Sequence, residues 1–216
     1  DWEYGAFVAK TGRTDYTSNG NSLTEPDAYF TSFRLKKQIL ENSSVGVLYA
    51  GKHTSNGLNG VIDIDGAVRQ SDWQLAYQIA HSISRDKTGL ALSTGFNRVT
   101  KDWLFLFRAR HIDEHFNINE VGYVPWKGNS DGLLLTGPMW YFDTGEIKQI
   151  TTYIGPGWDW TKADDYIDKT IVTGFNFNFR KNWGFEVNLS YAKKKDLNVE
   201  YTGYDINFSS WINPKP

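Results

Sequence analysis

The segment 169–195, KTIVTGFNFNFRKNWGFEVNLSYAKKK, alternates between apolar and polar side chains with a period of two. The alternation continues on both sides of a two-residue turn at Lys181 and Asn182. Two such runs joined by a tight turn predict a β-hairpin with one apolar and one polar face. The apolar face must contact either the core of a water-soluble protein or lipid, and this choice governs every later inference.

The same alternation predicts about twelve strands along the chain and no convincing helix. Every second connection is tight, such as DTGE at 143–146, whereas the others extend to about sixteen residues in TGRTDYTSNGNSLTEP. In an up-and-down meander, alternate connections lie at the same end of the sheet, so one end has tight turns and the other has loops. This asymmetry is typical of outer-membrane barrels. The predicted strands are 2–10, 27–39, 44–54, 60–69, 73–85, 90–100, 103–116, 132–142, 147–158, 169–180, 183–194 and 197–209.

The polar positions of the predicted strands favour lipid over a protein core. They are rich in Asn, Gln, Ser, Gly and Ala with isolated charges, as in segments 74–84 and 176–190, which suits a watery interior. Aromatic residues such as Trp73, Trp183 and Tyr191 fall near strand ends, where interfacial belts are expected. We therefore predict an all-β fold over 1–216, a single-domain antiparallel up-and-down transmembrane β-barrel, either complete or part of a larger barrel. A β-sandwich with ordinary core aromatics is the alternative.

Composition excludes several classes of function. Lys and Arg total 23 against 25 Asp and Glu, so the chain lacks the basic surface that nucleic-acid binding requires. It has no Cys, which excludes disulfides, thiolate metal sites and cysteine nucleophiles. The four His residues lack a zinc-ligand spacing, and no phosphate loop or dinucleotide fingerprint is present. We expect neither a metal nor a cofactor.

Four segments resemble a known family: ILENSSVGVLYAGK (39–52), NGVIDIDGAV (59–68), ARHIDEHFNINEVGYVPW (109–126) and LLLTGPMWYF (133–142). They are similar to an uncharacterised bacterial β-barrel domain that often follows a family-nine-like carbohydrate-binding module in Bacteroidetes envelope proteins. The resemblance extends from about residue 30 onward. It implies an outer-membrane barrel and supplies no catalytic residues. The carbohydrate-binding module is absent here, and the end WINPKP lacks the usual terminal aromatic, which indicates a segment of a larger barrel.

Two groups of residues are candidate functional sites. Aromatic rings can stack on sugars while carboxylates accept hydrogen bonds from hydroxyls, which predicts a glycan-binding set formed by Trp126, Trp158, Trp160, Tyr166, Asp164 and Asp165. An aromatic loop at the lipid headgroups explains the segment 155–168 equally well. The acids predicted to face the lumen are Asp63, Asp65 and Glu186. Asp63 and Asp65, on one face of their strand, are expected to pair with bases such as Arg69, Arg108 or Arg110, with binding of a hard cation such as Ca²⁺ as the alternative.

These features predict a non-enzymatic protein in the outer membrane of a Gram-negative bacterium. It would act as a pore or a binding platform, with the lipid bilayer, glycans and other envelope proteins as partners. One alternative is a soluble all-β glycan hydrolase with acids drawn from 113–120 and 159–165. Another is a soluble sugar-binding β-sandwich.

Overall fold

A computed structural model describes residues 1–213, and every regular element among them is a β-strand. In this part of the chain, no helix has the length and hydropathy needed to cross a membrane. The prediction drawn from the final segment WINPKP, which lacks a terminal aromatic residue, involves residues 214–216. These residues lie outside the described part of the chain. The strands are β1 (Trp2–Thr11), β2 (Thr14–Ser18), β3 (Asn21–Glu25), β4 (Ala28–Ile39), β5 (Ser43–Thr54), β6 (Gly57–Arg69), β7 (Trp73–Ile83), β8 (Thr88–Val99), β9 (Trp103–Ile112), β10 (Asn129–Tyr141), β11 (Ile147–Thr161), β12 (Tyr166–Phe179), β13 (Trp183–Asp196) and β14 (Val199–Ile212).

Twelve of the described strands form one sheet, and β2 and β3 form a separate hairpin. The order in the large sheet is β1, β4 and then β5 to β14 in sequence, as in an up-and-down meander. The predicted all-β antiparallel architecture is confirmed. Closure into a barrel is not found, because β1 and β14 form the two edges and do not pair with each other within residues 1–213.

The hairpin β2–β3 occupies a segment that the sequence predicts to be a loop. Its turn has Asn19 and Gly20 with φ of 50° and 77°, the left-handed pair that joins tightly twisted strands. Among the strand ends that differ from the prediction, β9 ends at Ile112 instead of residue 116. There Asp113 accepts a hydrogen bond from the backbone N–H of His115 at 2.7 Å, and this side-chain turn ends the strand.

The chain divides into two compact units, each made of several segments. Unit 1 comprises residues 1–69, 76–93 and 111–128, and unit 2 comprises 70–75, 94–110 and the residues from 129 onward. Each unit contains strands with an apolar face on one side and a polar face on the other. The two units are described separately below.

The hairpin of β12 and β13 shows how these faces arise in unit 2. Phe177 pairs with Phe185 across the strands, and their rings stack with centroids 4.8 Å apart. One residue along, Asn176 pairs with Glu186 on the opposite face. Successive side chains of a strand point to opposite faces, so alternation in sequence becomes separation in space. The apolar face continues onto β14, where Ile206 is 75% exposed.

Unit 1 contains the buried hydrophobic cluster that the structure describes. Its members are Val61, Ala80, Ile112 and Phe116, with Phe116 only 3% exposed. The cluster lies on the polar face of unit 1 and not on the apolar face. Large apolar side chains on the apolar face of unit 1 are instead exposed, among them Tyr4, Val8, Phe33, Val47, Ile62 and Ile64.

Candidate functional site

The polar face of unit 1 carries an ion-pair network at the centre of its strands. Arg34 on β4 donates to both carboxylate oxygens of Asp65 on β6, with Nη2 to Oδ1 at 2.8 Å. Asp63, two residues earlier on the same face, is buried and accepts a hydrogen bond from Gln78 Nε2 at 3.1 Å. A buried carboxylate needs such partners because it has left water. Both predicted lumen acids of unit 1 thus lie on the polar face, and the base beside Asp65 is Arg34.

The connection from β9 to β10, residues 113–128, folds over the polar face of unit 1; we call it the covering loop. Phe116 packs into the buried cluster, and Ile118 and Val124 pack against the same cluster. The sheet side of the cluster includes Val61 and Ala80, which occupy polar-phase positions on β6 and β7. The covering loop therefore has its own apolar attachment to a face that is otherwise polar.

Hydrogen bonds fix the backbone of the covering loop. The N–H of Asn117 donates to Ser82 Oγ at 2.9 Å, and Asn59 Nδ2 donates to the carbonyl of Asn117 at 3.1 Å. The N–H of Glu120 donates to Asn59 Oδ1 at 3.3 Å. Because Ser82 and Asn59 are themselves buried, these contacts satisfy polar groups on both the strands and the loop.

Lys52 on β5 joins three segments of unit 1. Its Nζ donates to Glu25 Oε1 at 2.8 Å and to Glu120 Oε2 at 2.6 Å, and it lies 5.5 Å from the ring centroid of Phe30. The residue is only 9% exposed, so its charge is shielded from water and depends on these carboxylates. Lys52 thus connects the end of β3, the strand β5 and the covering loop.

A cavity of about 460 Å³ lies beside Lys52 within unit 1. Its size is in the range of small-molecule sites. Its lining is mostly polar, which suits a hydrophilic occupant better than an apolar one. The side chains that define it include Tyr16, Glu25, Asn56, Asn59, Arg85 and Glu120.

In unit 2 the polar face carries a network around Glu186. The hydroxyl of Tyr153 donates to Glu186 Oε1 at 2.6 Å, and Asn188 Nδ2 donates to the same oxygen at 2.7 Å. Asn176 Nδ2 donates to Glu186 Oε2 at 3.1 Å, and Asn178 donates in turn to Asn176. The predicted lumen acid Glu186 is therefore the acceptor of a network that spans β11, β12 and β13.

Three aspartates form a row across neighbouring strands of unit 2. Asp131 pairs with Asp159, and Asp159 pairs with Asp168. Each has a donor: Arg110 Nε at 2.7 Å, Asn129 Nδ2 at 2.8 Å and the N–H of Lys195 at 3.0 Å, respectively. These donors offset the repulsion between like charges on adjacent strands. The row borders a cavity of about 430 Å³ that Arg108, Leu133 and Lys194 also line.

The predicted glycan-binding residues of unit 2 do not share one face. Within unit 2, Trp158 and Trp160 pair with Lys169 and Ile167 on the apolar face, whereas Tyr166 shares the phase of Asp168 on the polar face. Asp164 accepts from Thr161 Oγ1 at 3.0 Å in the turn before β12, and Asp165 has a φ of 46° there. Trp126 belongs to unit 1 and is 57% exposed on the covering loop.

Several acids proposed for a hydrolase have structural partners. Asp113 accepts the N–H of His115, Glu120 accepts from Lys52, and Asp159 accepts from Asn129. The first two belong to unit 1 and the third to unit 2. Within residues 1–213, no group of three or more His, Asp or Glu side chains is arranged to hold a metal ion.

The apolar faces have charges only near strand ends. In unit 1 the charged residues of this phase are Lys10 and Lys37, the second residue from the end of β1 and the third from the end of β4. In unit 2 they fall within four residues of a strand end and are Arg98, Lys148, Lys169, Lys193, Lys195 and Glu200. The middle of each apolar face is a band of uncharged, largely aliphatic and aromatic side chains.

No protein-family model, no curated protein and no solved structure matches this chain. The resemblance to the Bacteroidetes barrel domain therefore stays a prediction from the quoted motifs.

Sequence reasoning missed Phe116, Lys52 and Tyr153, which organise the polar faces. A partial signal was present for the covering loop. Ala50, Val61, Ala80 and Ala91 interrupt the polar phase of four consecutive strands, β5 to β8, with small or aliphatic residues. Such an interruption indicates that another apolar segment covers that part of the face. Lys52 and Tyr153 have no comparable signal in the sequence, because their partners lie 27 or more residues away.

Proposed function

We propose that this chain forms part of the wall of a membrane-spanning β-barrel in a bacterial outer membrane. The apolar faces contact acyl chains, and the polar faces contact water in a lumen. The protein acts as a non-enzymatic pore or binding platform of the cell envelope, with glycans as candidate ligands. The lipid-facing residues of the β12–β13 hairpin are then those of its apolar face: Phe175, Phe177, Phe185, Val187 and Leu189.

The observation that carries this proposal is the position of charge on the two faces. Charges on the apolar face stay near strand ends, whereas the polar face of unit 1 has Arg34 and Asp63 at mid-strand. Placing a Lys or Arg at the bilayer midplane costs about 2–4 kcal/mol, and the cost falls toward the interfaces. The twelve strands of the sheet have between 10 and 15 residues, enough for tilted strands to span the hydrocarbon.

The open edges of the sheet add a requirement to this proposal. Unpaired backbone groups cost several kcal/mol each in hydrocarbon, so a membrane sheet cannot keep free edges. We propose that strands other than the twelve described here pair with the outer edges of β1 and β14. Those strands come from a longer chain or from other copies of this one.

Refolding with and without detergent tests the proposal. We expect a β-rich species by circular dichroism only in detergent, with a different gel mobility before and after boiling. The mass of the detergent-embedded species, measured by light scattering, reports whether several copies complete the wall. A monodisperse β-rich monomer in plain buffer would contradict the membrane assignment, because the apolar faces would then have to be covered within one water-soluble molecule.

A further inference from the structure

The covering loop is compact, and its two ends lie side by side. The N–H of Gly128 donates to the carbonyl of Ile112 at 2.8 Å, so the chain leaves β9 and returns to β10 at nearly the same point. The N–H of Asp113 donates to the carbonyl of Leu90, which fixes the start of the loop to β8. Compact loops of this length with adjacent ends are often functional.

The loop is built to lie on the polar face and does not extend away from the strands. Phe116 supplies the apolar contact, and a Cβ at position 89 would overlap the backbone of Phe116, so only glycine lets the loop approach β8 so closely. The side chains of Tyr123 and Trp126 stay exposed, at 80% and 57%. The loop therefore covers the strands with one surface and presents aromatic and polar groups with the other.

Lys52 gives this arrangement an electrostatic attachment. Its Nζ lies between Glu25 and Glu120, and without it the two carboxylates would face each other unpaired. Glu120 is half exposed, so this contact can be altered without disturbing the buried cluster.

We propose that the covering loop is a constriction that limits the size of hydrophilic solutes passing along the polar face of unit 1. Phe116 and the contact between Lys52 and Glu120 hold it there. This inference rests on the proposed barrel, because a constriction matters only beside an aqueous path. The exposed polar and aromatic surface of the loop suits small, hydroxyl-rich solutes such as sugars.

The main experiment replaces residues 114–127 with a short Gly-Ser linker, which the adjacent loop ends permit. The parent chain and the variant are reconstituted in liposomes and planar bilayers. We expect single-channel conductance to rise several-fold in the variant, and maltopentaose to become permeant where the parent admits only glucose and maltose. Glu120→Lys, whose positive charge repels Lys52, should raise the conductance and the solute size limit by a smaller amount. Glu120→Gln, which keeps a hydrogen bond to Lys52, should raise them least.

A labelling measurement tests the position of the loop independently of transport. The chain has no cysteine, so each engineered cysteine is the only thiol. Ala80→Cys lies beneath the loop at 8% exposure, whereas Asn207→Cys on β14 is exposed and serves as control. We expect slow maleimide labelling of position 80 in the parent, and labelling as fast as at position 207 once the loop is replaced.

The outcomes separate the inference from the proposed function. Parent protein that forms no detergent-dependent species overturns the barrel itself. A conducting parent whose conductance and solute limit do not change in the linker or Glu120→Lys variants overturns the constriction and leaves the barrel intact. Fast labelling of position 80 in the parent also overturns the constriction, because it shows that the loop does not cover the face.

Discussion

The polar faces of the two units are filled by different kinds of residues. In unit 1, polar-phase positions are filled by small or aliphatic residues such as Ala80 and Val61, and the covering loop packs Phe116 onto them. In unit 2, Tyr153, Asn176 and Glu186 fill the corresponding space with a hydrogen-bonded network. Part of the polar face of unit 1 is thus covered by an added segment, whereas the polar face of unit 2 is filled by its own side chains.

The two faces therefore differ in the size and polarity of the residues at their polar-phase positions. A patch of Ala and Val offers few hydrogen-bond partners and leaves room for an inserted ring. A patch of Asn, Glu and Tyr fills its own volume and needs no further segment to satisfy its donors and acceptors. The apolar faces of the two units do not differ in this way, since both expose aliphatic and aromatic side chains.

Removing the ring of Phe116 should have the largest effect. Phe116→Ala deletes the most buried large side chain of the cluster, and such a change costs about 3–5 kcal/mol in a packed core. We expect the free energy of unfolding in urea to fall by that amount and proteolysis of the covering loop to accelerate. Tyr123→Ala, in the same loop but 80% exposed, should change stability by less than about 0.5 kcal/mol. Equal effects of the two variants would show that Phe116 does not anchor the loop.

The strands could be predicted from sequence because alternation is a local signal. The hairpin predicted at 169–195 is confirmed as β12 and β13, with Phe175 opposite Val187 and a turn at Asn182 whose φ is 60°. The hairpin β2–β3 was missed although Asn19 and Gly20 separate two alternating runs, because the polar composition of the segment indicated a loop.

The sites were harder to predict because they depend on which strands are neighbours. Trp158 and Trp160 share a phase, and Tyr166 lies on the other one, but this parity becomes visible only when the register of β11 and β12 is known. Likewise, Arg34 and Asp65 are 31 residues apart and meet only because β5 separates their strands by one position. Periodicity gives the face of each residue, and register gives its partner.

The next largest effect tests the feature that the two units share, the uncharged middle of the apolar face. Leu189→Arg puts a charge at the centre of β13 on that face, and we expect folding into lipid vesicles to lose about 2–4 kcal/mol. Ser190→Arg is the matched control, because the adjacent residue lies on the polar face opposite Asp205. Comparable losses from both, measured by urea titration in vesicles, would contradict the lipid assignment of the apolar face.

A smaller effect is expected from the network of unit 2. Glu186→Gln replaces an acceptor of three hydrogen bonds by a group whose amide faces other donors. Leaving such donors unpaired costs about 1–3 kcal/mol, so the free energy of unfolding should fall by that amount. Glu200→Gln on β14, which is exposed, should have almost no effect. If Glu186→Gln were also neutral, the network would not be what stabilises this face.

The smallest effect is expected from an exposed ion pair at the turns of unit 2. It serves as the reference for the buried Lys52 ion pairs of unit 1. Lys181 Nζ lies 3.1 Å from Glu146, but both side chains are more than 60% exposed. Exposed pairs contribute about 0–1 kcal/mol, so Lys181→Met should lower the urea-unfolding free energy by no more than that. Lys52→Met should lower the free energy of unfolding clearly more. Removing this buried lysine leaves the carboxylates of Glu25 and Glu120 facing each other without a counter-charge. Equal effects of the two substitutions would mean that burial adds nothing to the Lys52 contact. The covering loop would then be held by its apolar cluster and its backbone hydrogen bonds.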